Sequence, residues 1–176
     1  MYGTVGLFIF VRLNLIFDGG FAMNKNNFSS PLSLRNVQIT DTFWKKEMEL
    51  VRTEVIPYQW AALNDQVEGA APSFCMHNFK AAGKLNKEKK ELGEPVYTFR
   101  GFEALPEDPK HLDDKFYGFV FQDSDFYKWI EAVGYSLTQH PDPQLESIAD
   151  GAIDIVCAAQ QEDGYLDTYY ILNGKD

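Results

Sequence analysis

The sequence predicts a mainly α-helical protein built of αα-hairpins, and three observations near its C-terminal end predict it. Phe126, Trp129, Ile130, Val133 and Leu137 recur at the spacing of one apolar stripe on a helix. His140-Pro141-Asp142-Pro143 then stops that helix and starts another, with Asp142 placed as a cap and Pro143 suited to the first helical position. Leu145, Ile148, Ala149, Ala152, Val156 and Ala159 form a second stripe, which ends in the polar turn Gln160-Gln161-Glu162-Asp163-Gly164-Tyr165. Two amphipathic helices joined by a short turn make a hairpin, and the rest of the chain continues that layering.

The earlier elements follow in order. Residues 1–22 differ from the rest and read as a leader or as an over-called extension ahead of Met23. Their apolar run, Val5 to Phe17, is broken by Arg12 and Asn14 and is too short to span a membrane. No positive charge precedes it, as a secretory signal would want, although Ala22 leaves a small residue at a cleavage point. Asn24 to Ser33 is a polar lead-in, and Val37 to Thr40 a short extended piece. Asp41 caps a helix whose stripe is Trp44, Met48, Val51 and Val55. Pro57 is expected to end or kink it by pushing Ile56 out of the helical region, with Tyr58 to Leu63 adding a turn or two. After the connection Asn64–Pro72, a third helix is expected over Phe74–Leu85, with Gly83 near its end. The lysine-rich Lys84–Lys90 reads as a solvated turn, and Glu91–Lys115, with its glycines and prolines, as a long loop of the kind that walls a site. Asp123 or Ser124 is expected to cap the helix that follows, with Asp125 favoured by the dipole. Tyr169-Tyr170-Ile171-Leu172 is an apolar end with nothing after it to cover it, which reads as a chain cut short.

Composition narrows function by exclusion. The chain has 176 residues, enough for one domain with a core, and 45% of them are hydrophobic. A formal net charge of −10 argues against nucleic acid and against an anionic membrane as partners. It suits a soluble enzyme acting on neutral substrates. Aromatic residues make up 15% of the chain; their flat faces suit sugar rings, although most large rings serve a core. Cys75 and Cys157 make no disulfide framework; a single bridge between them is open to the sequence, and the favoured reading is two reduced core thiols of a cytosolic protein.

The chemistry-bearing residues are few. Asp123 and Asp125 flank Ser124, and Glu162 and Asp163 share a helix-end turn, but sequence neighbours seldom flank a scissile bond as a glycosidase requires. Cys75-Met76-His77 places two ligand types on different faces of a helix, so it is not a zinc site. His111 and His140 have no partner that spacing identifies. There is no glycine-rich phosphate loop, no nucleophile elbow and no His-Glu-x-x-His. The residues by themselves give a helical domain with an aromatic, acidic cleft candidate and no catalytic engine.

Five separated strings add a resemblance. They are Asn36-Val37-Gln38-Ile39-Thr40-Asp41-Thr42-Phe43-Trp44, Val55-Ile56-Pro57-Tyr58-Gln59-Trp60, Phe119-Val120-Phe121-Gln122-Asp123-Ser124-Asp125 with Lys128-Trp129, His140-Pro141-Asp142-Pro143, and Ala159-Gln160-Gln161-Glu162-Asp163-Gly164-Tyr165-Leu166. In this order they resemble the N-terminal part of glycoside hydrolase family 127, the β-L-arabinofuranosidases, from about Asn36 to Tyr170.

The resemblance implies that residues 23–176 are the truncated N-terminal part of an (α/α)6 barrel, a partial toroid. It implies retaining hydrolysis of terminal β-L-arabinofuranosides by the complete protein, on a plant-derived glycan or glycopeptide. The family's cofactor is zinc, binding a cysteine thiolate nucleophile, with a glutamate as acid/base; metals activate thiols in this way by lowering their pKa. Those residues lie beyond this chain, so no catalytic residue and no metal ligand is assigned within it, and Cys75 and Cys157 do not match the motif. What carries over is a substrate-facing segment at the barrel mouth. There Val120 and Phe121 form an apolar wall, and Gln122 and Asp123 are polar groups at the pocket or just behind it. Pro57, Tyr58 and Trp60 are expected to be structural. The connection Asn64–Pro72 is short, so no sugar contact is carried over from it. Two other readings stand beside this one. The chain could be a free-standing helical module that binds sugar or protein, which should stay soluble alone, or a toroid glycosidase for another sugar.

Overall fold

A computed structural model describes residues 32–93, 105–108 and 110–174. The expectations for residues 1–22, and for much of the loop Glu91–Lys115, lie outside those residues. Among them the fold is entirely helical, with six α-helices and no strand element. A 3₁₀ turn, Leu34–Asn36, leads through extended Val37 into α1, Thr42–Leu50. Asp41 caps α1 by accepting the Trp44 N–H at 2.9 Å.

Pro57 does not end the helical run, and Ile56 is not pushed out of the helical region, contrary to the sequence expectation. A π-helical turn, Val51–Val55, joins α1 to α2, Ile56–Leu63, and Ile56 stays helical at φ −61°, ψ −49°. Its N–H reaches back to the Val51 carbonyl. The wider turn gives the proline ring the room that a regular α-turn denies it against the preceding carbonyls. The stripe on α1 is also not core. Trp44 is 59% exposed, Val51 and Val55 are exposed, and α1 has no buried residue. Tyr58 is likewise exposed, whereas Trp60 stacks on Trp129 at 4.5 Å.

In the connection that follows, Asp65 accepts the N–H groups of Ser73 and Phe74, which closes the loop and launches α3. That helix runs Cys75–Leu92, so Lys84–Lys90 is helix and not a turn. Lysine, glutamate and leucine are good helix formers, and Lys87 pairs with Glu91 one turn on, so the charged run prolongs the helix. Helices α4, Asp123–Gln139, and α5, Pro143–Ala159, form the expected hairpin, with Asp142 accepting the Gln144 and Leu145 N–H groups.

The core lies where α3 crosses this hairpin. Met76, Phe79 and Ala82 from α3 meet Trp129 and Val133 from α4 and Ala149 and Ala152 from α5, all buried. Gly83 eases the close approach of α3 to α5, because a Cβ there would stand a tight 3.2 Å from that of Ala158. Asn86 on α3 caps the end of α5, donating to the carbonyls of Ala158 and Ala159 at 2.9 Å. The last apolar stretch is covered after all. It forms α6, Thr168–Asn173, capped by Asp167 and packed on α3 with Tyr169, Ile171 and Leu172 buried.

Candidate functional site

The segment Lys115–Asp123 crosses from α3 to the start of α4 and is gripped along its length. His77 and Asn78, adjacent on α3, take hold of its backbone first. His77 Nε2 donates to the Lys115 carbonyl at 2.9 Å, which fixes the proton on that nitrogen. Asn78 is fully buried and bonds Tyr117 in both directions, donating to its carbonyl at 2.8 Å and accepting its N–H at 3.1 Å. A buried amide is tolerated when its donors and acceptors are matched, as here. Gly118 then turns the chain at φ +88°, where a Cβ would lie 2.9 Å from Gln122 Oε1.

The four residues expected to face substrate fall into three environments. Phe121 is 62% exposed and stacks parallel on exposed Phe119, with centroids 5.2 Å apart. Val120 is half-buried against the core. Gln122 is nearly buried; its amide donates to Asp125 Oδ2 at 3.1 Å and to Ser73 Oγ at 3.4 Å, and its Oε1 accepts the Phe119 N–H. Asp123 turns the other way. It is not the cap of α4: Gln122 holds the cap position, with no side-chain cap bond. Both Asp123 oxygens instead accept from Thr168, one from the backbone N–H at 2.7 Å and one from the hydroxyl at 2.5 Å. Ser124, the other expected cap, lies inside the helix.

A cleft of about 350 Å³ opens beside this turn, between α2 and α4. Leu63 and Trp129 give it an apolar floor, and Gln59, Ser73, Gln122, Asp125 and Lys128 give it a polar rim. Asp125 and Lys128 pair across one turn of α4 at 3.1 Å. An apolar floor with a few convergent polar groups is the usual form of a small-molecule site.

Burial sets the electrostatics. It pushes the Asp123 carboxyl up to about 6, against the two bonds from Thr168 that favour the charged form. It pushes the Cys75 thiol up to about 12, with the negative charges of Asp123 and Asp125 adding to it. A thiol held neutral in this way is the opposite of a zinc-bound thiolate. No group of three or more His, Cys, Asp or Glu side chains is placed to hold a metal among the described residues. The described residues therefore do not fit a zinc–thiolate centre. Glu162 and Asp163 stay in the turn after α5, where Asp163 accepts the Tyr165 N–H, and His111 pairs with Asp108, both exposed. No helix is long and apolar enough to cross a membrane among the described residues.

Sequence reasoning missed Asn78 and Thr168. Asn78 gave one signal, an amide set between core residues Met76 and Phe79 on α3. Thr168 gave none that points to Asp123, its partner 45 residues away.

Comparison with known proteins gives the family. Residues 36–176 match the family model described as beta-L-arabinofuranosidase, GH127 catalytic domain. Over 135 residues the chain is 40% identical to the non-reducing end beta-L-arabinofuranosidase of Bifidobacterium longum subsp. longum, a match covering 77% of this chain and 18% of that protein. The crystal structure of a GH127 beta-L-arabinofuranosidase from Geobacillus stearothermophilus T6 superposes with a TM-score of 0.61 at 42% identity, covering 79% of this chain and 18% of the other. A second solved GH127 beta-arabinofuranosidase gives 0.58 at 28% identity, covering 82% and 18%. The chain thus spans about a fifth of the length of the relatives it matches. With the family model matching residues 36–176, this chain belongs to the GH127 β-L-arabinofuranosidase catalytic-domain family.

Proposed function

We propose that the chain is the N-terminal part of a retaining β-L-arabinofuranosidase and contributes to a partial (α/α)6 toroid. In the complete protein, the substrate is a terminal β-L-arabinofuranose on a plant-derived glycan or glycopeptide. The observation that carries this reading is the match of residues 36–176 to the catalytic-domain family, shared by relatives named as arabinofuranosidases. Zinc is the cofactor that the resemblance implies for the complete protein; no group of side chains is placed to hold it among the described residues, and this reading assigns bond cleavage to no residue of this chain. The contribution of this chain is binding. Gln122 lines the cleft and offers its amide there, and exposed Phe121, with Val120 beside it in the same turn, is the apolar wall for the carbon-bound face of the sugar. The Gln122 bond to Ser73, at 3.4 Å, is long, and a sugar hydroxyl can replace it. Asp123 supports the wall from behind.

The test is to express the complete reading frame that contains this chain and assay it on a panel of aryl glycosides. Turnover of the aryl β-L-arabinofuranoside is expected, and the 176-residue chain alone should be inactive. Activity confined to another glycoside would keep the family and change the sugar. Sugar binding without turnover by the complete frame would replace the enzyme reading with a binding module.

A further inference from the structure

The turn Gly118–Gln122 carries two phenylalanines, Phe119 and Phe121, exposed to solvent, yet it is anchored at both ends by buried polar groups. Upstream, Asn78 is 0% exposed and spends its amide on the Tyr117 backbone alone. Downstream, Asp123 is 7% exposed and Thr168 is 0% exposed, and the pair binds the first residue of α4 to the first residue of α6. Burying an amide and a carboxylate is costly unless each is fully bonded, and an ordinary surface connection does not require it. What these groups fix is the backbone that carries Val120, Phe121 and Gln122. Phe119 and Phe121 stack face to face in solvent, at an interplanar angle of 7°, with their backbone held by those anchors. The Gln122 side chain closes the turn on itself through the Phe119 N–H and also lines the cleft. A displacement at either anchor would therefore move a cleft-lining group.

We infer that Thr168 and Asn78 are positioning residues, which hold the Gly118–Gln122 turn in its sugar-receiving geometry through Asp123 and Tyr117. This deepens the proposed function and rests on that reading, since it needs the turn to face substrate. Neither residue touches the cleft; both act through another. Preorganisation of this kind lowers the ordering cost of binding, so its loss appears as weaker substrate capture with the chemical step preserved.

The test pairs Thr168→Val, which keeps the shape and removes the hydroxyl, with Thr168→Ser, which restores it, both in the complete protein. Thr138→Val is the control, because that exposed hydroxyl bonds only the Gly134 carbonyl within α4. Two quantities are read: amide hydrogen exchange at Phe119–Gln122, and kinetics on the aryl furanoside. Thr168→Val should speed exchange in the turn and raise KM about ten-fold with kcat held, as befits one lost bond to a charged group. Thr168→Ser should restore both, and Asn78→Ala should repeat the exchange effect from the other anchor. Unchanged exchange in the turn overturns the inference. So does faster exchange with KM unmoved in an active enzyme, which would make the clamp structural only. An inactive wild type is a different failure: it removes the proposed function and takes this inference with it.

Discussion

The indole Nε1 of Trp129 donates a 3.1 Å hydrogen bond to the carbonyl of Ile56, the residue at which the π turn gives way to α2. One buried bond thus ties the middle of α4 to the one irregular point of the first helical rod, and the stacked Trp60 completes the joint. The same indole forms part of the cleft floor, so the joint and the site share a residue. Trp129→Phe should cost about 2 kcal/mol, from one lost bond and the gap left by the smaller ring. Urea unfolding would show it as a lower midpoint at unchanged slope; a variant as stable as wild type would mean that the joint carries little.

Protonation of Asp123 sets a second prediction. Burial raises its folded-state pKa to about 6, above the ordinary 3.8 of a free aspartate, so the folded protein holds the proton more tightly than the unfolded chain does. Stability from this group is therefore fully present below about pH 4 and is lost as pH rises through about 6. Burial raises Asp167 as well, with the same sign. Asp123→Asn keeps an oxygen for the Thr168 N–H and never ionises. Its stability relative to wild type should improve as pH is raised from about 4 to about 7. A difference that stays constant over that range, in urea titrations at fixed ionic strength, would show that Asp123 titrates normally.

These two residues also mark how far the sequence could be read. Asp41 and Asp142 were legible as caps because a cap bonds an N–H two or three residues ahead, and spacing displays it. Asp123 has the same sequence signature but gives its oxygens to Thr168, a partner that no local pattern reveals. Pro57 misled for a related reason. The rule that proline ends a helix assumes α geometry, and the π turn at Val51–Val55 escapes it. The hairpin of α4 and α5 was readable throughout because both stripes are long and buried by α3. The stripe on α1 was equally regular, yet periodicity reports a face and not whether anything covers it. At the site, Val120–Asp123 came only from family resemblance, since an exposed phenylalanine pair and a glutamine that closes its own turn have no spacing of their own.

Thiol chemistry gives a third prediction. Cys75 is fully buried with its thiol pushed up to about 12, whereas Cys157 is half-buried. The thiolate is the reactive form, and reagent must also reach it. Iodoacetamide at neutral pH should alkylate Cys157 first and Cys75 only through unfolding, so that Cys75 labelling accelerates with denaturant. Peptide mapping by mass spectrometry reads both sites. Rapid native labelling of Cys75 would contradict its placement in the core.

The uncovered face of α1 and α2 gives the last prediction. Phe43, Trp44 and Tyr58 are each 59% exposed, and Leu50 and Val51 on the same helical run are exposed as well. Phe43 and Trp44 meet edge to face at 5.1 Å, so they present one joined aromatic surface. Scattered exposed apolar residues are ordinary, but a contiguous aromatic patch marks an interface. The chain alone should therefore self-associate, with sedimentation velocity showing a mass average that rises with concentration. Trp44→Lys should reduce that association without loss of helix content, because Trp44 contributes nothing to the core. In the complete protein, by contrast, Trp44 should be shielded from acrylamide quenching if the remaining domain covers this face. A chain that stays monomeric at high concentration, with Trp44 equally quenched in both forms, would favour the free-standing binding module over the enzyme fragment.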